Sequence, residues 1–144
     1  MALEQGFIFG PAVIMGALIG YYEAHLVHAD EGNIKGAFSH AIHTVPTTVI
    51  LVFLAMNVDF LLQFIPNIPV LTNVHVIRAI IGIFAAIKLH TVSAIAKGVT
   101  GMQERWIHCF IVAGLIVASP YLWEMVIEKI VPPSVMKFLV FGGK

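Results

Sequence analysis

Four long apolar runs alternate with short polar or proline-containing stretches in this 144-residue sequence. They cover about residues 7–28, 40–64, 74–96 and 105–130. Each is long enough to cross a bilayer as a helix, which takes about 20 apolar residues. Residues 29–38 read as a polar loop carrying Asp30, Glu31, Asn33 and Lys35, with Ser39 as N-cap of the following helix. The stretch IPNIPVLTN, residues 65–73, has two prolines and reads as a non-helical interfacial connection. Lys97-Gly98 closes the third run, and residues 99–104 form a second polar loop. Pro132-Pro133 stops the fourth, leaving residues 131–144 as an interfacial tail too short to span. The pattern predicts an all-α membrane protein. It consists of four transmembrane helices in an up-down-up-down bundle, forming a single integral membrane domain over residues 1–144.

Spacing within the runs assigns faces. Ala12, Gly16, Gly20 and Ala24 recur every four residues, and Gly16 with Gly20 forms a GxxxG pair that lets another helix backbone approach closely. In the second run His40, His43, Thr47, Ile50, Leu54, Asn57 and Leu61 share a face, which the cost of polar groups in lipid turns inward. Gly82, Ala86, His90 and Ala94 line a face of the third run. Arg105, His108, Val112, Leu115, Ser119 and Leu122 line one of the fourth. Pro46 and Pro120 fall inside helices and are expected to kink them.

Composition agrees with a membrane setting. Hydrophobic residues make up 59% of the chain and charged residues 11%, too few to clothe a soluble domain of this size. Mean hydropathy is +0.94. A formal net charge of zero argues against a nucleic-acid partner. The single cysteine, Cys109, excludes an internal disulfide and a cysteine-based zinc site. No Lys or Arg precedes the first apolar run, so that run is expected to be a retained span and not a cleaved signal.

A shift of 65 residues lays the first half on the second. His25 then meets His90, His43 meets His108, and Asp59 meets Glu124. The halves would be parallel two-helix repeats, related by an axis along the membrane normal.

This topology places the termini on one side with the proline-containing connection, and the two polar loops on the other. His25, His28, His40, His43 and His108 fall near the loop side, with His90 a little deeper and His75 on the opposite side. Imidazole ligates copper, iron and zinc, and facing histidines can flank haem. His25, His43, His90 and His108 are therefore the candidate ligands of a transition metal or haem. The plain alternative is ordinary interhelical hydrogen bonding. The buried charges have partners in reach, Asp59 with Arg78 and Glu23 with Lys88. The HExxH, Walker and Gly-rich nucleotide motifs do not occur.

These features point to a small integral membrane subunit of a larger multi-subunit assembly, structural in role and not catalytic on its own. Its partners would be the lipid bilayer and other membrane subunits. The alternatives are a metal- or haem-binding redox protein built on the histidines, and a small proton or ion transporter. The expected location is a prokaryotic cell membrane. Basic residues on the termini side (Arg78, Lys129, Lys137, Lys144) slightly outnumber those on the loop side (Lys35, Lys97, Arg105), which points both termini to the cytoplasm.

Overall fold

The computed structural model describes residues 8–31, 34–64, 66, 68, 70–100 and 105–139, without the side chains of 27–31, 34–40, 92–100, 133, 137 and 138. All regular structure among them is helical. Helix α1 spans Gly10–Glu31 and α2 spans Ile34–Met56. A short α3, Val58–Leu61, runs into a 3-10 turn, Leu62–Phe64. Helix α4 is Val74–Thr100 and α5 is Trp106–Leu122; a π-helical turn, Trp123–Ile127, leads to α6, Glu128–Ile130. Helix α7 is Pro133–Leu139.

The helices overrun the expected loops. Residues 29–31 belong to α1 and residues 34–38 to α2, where a polar loop was expected. Helix α4 continues past Lys97-Gly98 to Thr100. Outside a bilayer a helix has no need to be apolar, and Ala, Glu and Lys are good helix formers. The second run departs from expectation in the other direction. It breaks at Asn57 (φ −108°, ψ 23°), and the pieces Ala41–Met56 and Val58–Phe64 meet at 69°. Among the described residues two helical stretches are long and apolar enough to cross a membrane, Val74–Thr91 and Trp106–Ile130, and the bent pair makes a third if it is one span.

Helix α1 packs most closely on α2, and α4 on α5; α2 and α5 also touch each other, α2 touches α4, and α1 touches α5. The core forms where these faces converge, around Ile19, Leu51, Val52, Leu89, Val112 and Ile116. Gly16 and Gly20 face α2. A Cβ at Gly16 would sit 2.5 Å from the Val49 Cα, and one at Gly20 would sit 3.0 Å from the Val45 Cα. The two backbones approach so closely because neither glycine carries a side chain.

That contact fixes the rotation of α2 and corrects the expected inward stripe. Val45 and Val49 meet α1, so the buried residues are Thr44, Thr48, Leu51, Val52, Ala55 and Met56. His43 lies two residues before Val45, a little over half a turn away, and is exposed together with Ile50. Asn57 is the residue of the expected stripe that is buried; Thr47 and Leu54 are at its margin, and the His40 side chain lies outside the described residues.

Pro120 has no N–H to give the Ile116 carbonyl, and the neighbouring Ser119 Oγ donates to that oxygen instead, at 2.7 Å. The π turn follows directly, a common accommodation of a disturbed helix. Val131 is extended (ψ 126°), as a residue before proline tends to be, and Pro133 opens α7. The end of α7 lies over the start of α1, with the Leu139 backbone against Gly10.

A graded response to bulk is expected at the glycines. Gly16→Ala should cost about 1–3 kcal/mol, as overpacking does, and Gly20→Ala less, because its neighbour is farther away. Gly114 has nothing within 4 Å of an added Cβ. Gly114→Ala should be neutral or stabilise by up to about 1 kcal/mol. Unfolding of the three variants in detergent checks the order, and equal tolerance at Gly16 and Gly114 would contradict the packing.

Candidate functional site

The densest polar cluster lies where α2 breaks. Helix α2 ends at Met56, and the last carbonyls of a helix lack their full set of helical donors. The Phe53 oxygen keeps its helical donor, the Asn57 backbone N–H at 3.1 Å, and gains a second, the Asn57 side-chain Nδ2 at 2.9 Å. The same side chain holds the chain entering α1. Asn57 Oδ1 accepts from the Ile8 N–H at 2.7 Å, and Nδ2 donates to the Ile8 oxygen at 2.9 Å.

Arg78, from α4, meets another of these carbonyls. Its Nε donates to the Ala55 oxygen at 3.2 Å, which sets a cation at the negative end of α2. Its Nη1 donates to the Tyr121 hydroxyl at 2.9 Å, and the guanidinium carbon lies 5.2 Å from the centre of that ring. Nη2 lies 3.9 Å from Asp59 Oδ2 on α3. The Arg78 side chain is 11% exposed and that of Asp59 39%. The Tyr121 hydroxyl is 3.2 Å from His75 Nδ1 on the first turn of α4, where Asn73 Oδ1 accepts from the His75 N–H at 2.9 Å. One guanidinium thus joins the end of α2, α3, α4 and α5. Tyr121 and Asn57 carry much of this arrangement; the residue pattern put Asn57 on an inward face but gave it no partner, and it did not point to Tyr121. The usable signals were an arginine deep in an apolar run, which needs several acceptors, and an asparagine within a span.

Glu23 is fully buried on α1, and its Oε2 accepts from Thr48 Oγ1 of α2 at 2.9 Å. Lys88, its expected partner, is exposed on α4. The close packing of α1 on α2 turns Glu23 toward Thr48, so the structure does not join Glu23 to Lys88.

The four candidate metal ligands are spread out. His25 and His43 are exposed on α1 and α2. His90 and His108 are half-buried on α4 and α5. The His90 ring stacks on Trp106 with centroids 3.8 Å apart, and its Nδ1 is 4.0 Å from Cys109 Sγ. His43 does not face the bundle centre, because the rotation of α2 that seats Val45 and Val49 on the glycines turns it outward. Among the described residues no group of three or more His, Cys, Asp and Glu side chains is placed to hold a metal ion. The His28 and His40 side chains lie outside the described residues.

The geometry ranks the partners of Arg78. Asp59→Asn is expected to cost under about 1 kcal/mol, because the pair is long and its carboxylate partly exposed. Arg78→Gln removes charged hydrogen bonds to two partners and should cost about 1.5–3 kcal/mol. In double-mutant cycles the Arg78–Tyr121 coupling should exceed the Arg78–Asp59 coupling, and the reverse order in detergent unfolding would contradict the assigned contacts. Set against known proteins, the chain matches no family model, no curated sequence and no solved structure.

Proposed function

We propose that the chain is a four-span integral membrane subunit with a structural or assembly role in a larger membrane complex. The observation that carries this reading is the division between inside and outside. The buried polar groups of the helices engage one another: Glu23 with Thr48, Asn57 with Ile8, Arg78 with Ala55, Tyr121 and Asp59. The outer faces carry large apolar side chains, among them Leu18, Ile50, Ile83, Phe84, Phe110 and Met125. Only 28% of the Val74–Thr91 window and 33% of the Trp106–Ile130 window is buried within the chain. Most of each helix therefore faces lipid or another subunit. The four-span reading takes helix α1, 22 residues long and packed on α2, as the remaining span. The parallel-repeat reading draws on the same pairing: a shift of 65 carries the break at Asn57 onto Leu122, where α5 gives way to the π turn.

A metal- or haem-binding alternative would draw on His90 and His108, the two half-buried candidates, which lie on the adjacent helices α4 and α5. An absorption spectrum and metal analysis of the purified protein separate it from the subunit reading.

Two measurements test the proposal. Cysteines placed at Asn33 and Thr100, in a chain with Cys109→Ser, should react with an impermeant maleimide from one side of the membrane, and a cysteine at Gly142 from the other. Labelling of Asn33 and Thr100 from opposite sides would end the four-span topology. In mild detergent the native protein should run with other membrane chains in fixed ratio. A monodisperse single chain would end the subunit role.

A further inference from the structure

We propose that His75 and Tyr121 form a proton-responsive latch on Arg78, so that acid loosens the joint between α4 and α5. The directions of the hydrogen bonds carry this inference. Arg78 Nη1 donates to the Tyr121 oxygen at 2.9 Å, and a guanidinium can only donate. His75 Nδ1 lies 3.2 Å from the Tyr121 hydroxyl, and the latch assigns the single hydroxyl proton to that contact. In this arrangement Nδ1 accepts, which puts the neutral ring's proton on Nε2. The chain runs in one direction, from guanidinium to phenol to imidazole.

A second proton on His75 reverses the last link. Nδ1–H becomes a donor aimed at an oxygen that already accepts from Arg78, and the hydroxyl proton must turn from the imidazole to water. Two cations then face one phenol oxygen. His75 is exposed, so a proton reaches it from water. Among the described residues, the other charged and titratable groups near this end are Asp59 on α3, 3.9 Å from Arg78, and Glu124, Glu128 and Lys129 in the turns after Tyr121. The end of α2 contributes the Ala55 carbonyl, which Arg78 Nε holds. Asp59 is placed on Arg78 and not on His75. Glu124, one turn beyond Tyr121 and exposed, is the competing source of a pH response at this end.

The full-length protein in detergent micelles or nanodiscs tests the latch by two readouts. Nitrogen NMR of the imidazoles should show neutral His75 as the Nε2–H tautomer, and an Nδ1–H tautomer would overturn the proposal. The thermal midpoint of the wild type should fall between about pH 8 and about pH 5, where histidines commonly change charge. That fall should be smaller in both His75→Ala and Tyr121→Phe and unchanged in Glu124→Gln. Tyr121→Phe keeps the ring against Arg78 and guards against a His75 variant that folds poorly. A fall of wild-type size in both latch variants, no fall in the wild type, or loss of the fall in Glu124→Gln would each overturn the proposal.

Discussion

A hydrocarbon environment offers no water to a released backbone carbonyl, and among the described residues this chain meets that constraint with its own side chains at two helix interruptions. At the end of α2, Arg78 takes the Ala55 oxygen and Asn57 adds a second bond to the Phe53 oxygen. At Pro120, Ser119 takes the Ile116 oxygen. Each interruption is therefore tolerable, and each ties a particular side chain to a particular place. Arg78 is the most constrained of these, since its position on α4 must serve α2, α3 and α5 together.

The second constraint is steric. Gly16 and Gly20 bring α1 and α2 into backbone contact, and the contact selects which side of α2 is inside. From that choice follow the burial of Thr44 and Thr48, the pairing of Thr48 with Glu23, and the exposure of His43. A carboxylate and a threonine meet on the inner side because two glycines lie along it. The histidine that looked central is displaced by the same geometry.

Much of this was legible in the residues, and the limits have a physical origin. Long apolar runs announce helices, so the last long helix and its proline were plain, and so was the small-residue face of α1. Asp59 and Arg78 were readable as neighbours because they stand at similar distances from the proline-containing connection. The rotation of α2 was not legible. A helix that is apolar on most sides gives periodicity little to report, and a histidine stripe at three- and four-residue steps competed with a threonine stripe one residue on. Thr44 and Thr48 satisfy the same spacing as His43 and Thr47. Only the partner helix decides between them. The break at Asn57 was hidden for a related reason, since asparagine is compatible with a continuing helix and two of its three side-chain bonds reach Ile8, far away in the chain.

The two ends of α4 and α5 are held by different kinds of contact. Toward the start of α5, His90 lies flat on Trp106, and Cys109 is fully buried beside it. Aromatic stacking and a thiol contact are tolerant of small displacements. Toward the end of α5, the Arg78 cluster depends on directional hydrogen bonds among groups of fixed geometry, and such bonds fail over short distances. Moving α5 relative to α4 would separate Tyr121 from Arg78 and His75 together. That coupling follows from a single phenol oxygen being shared, and it would vanish if Arg78 and His75 were held by different residues.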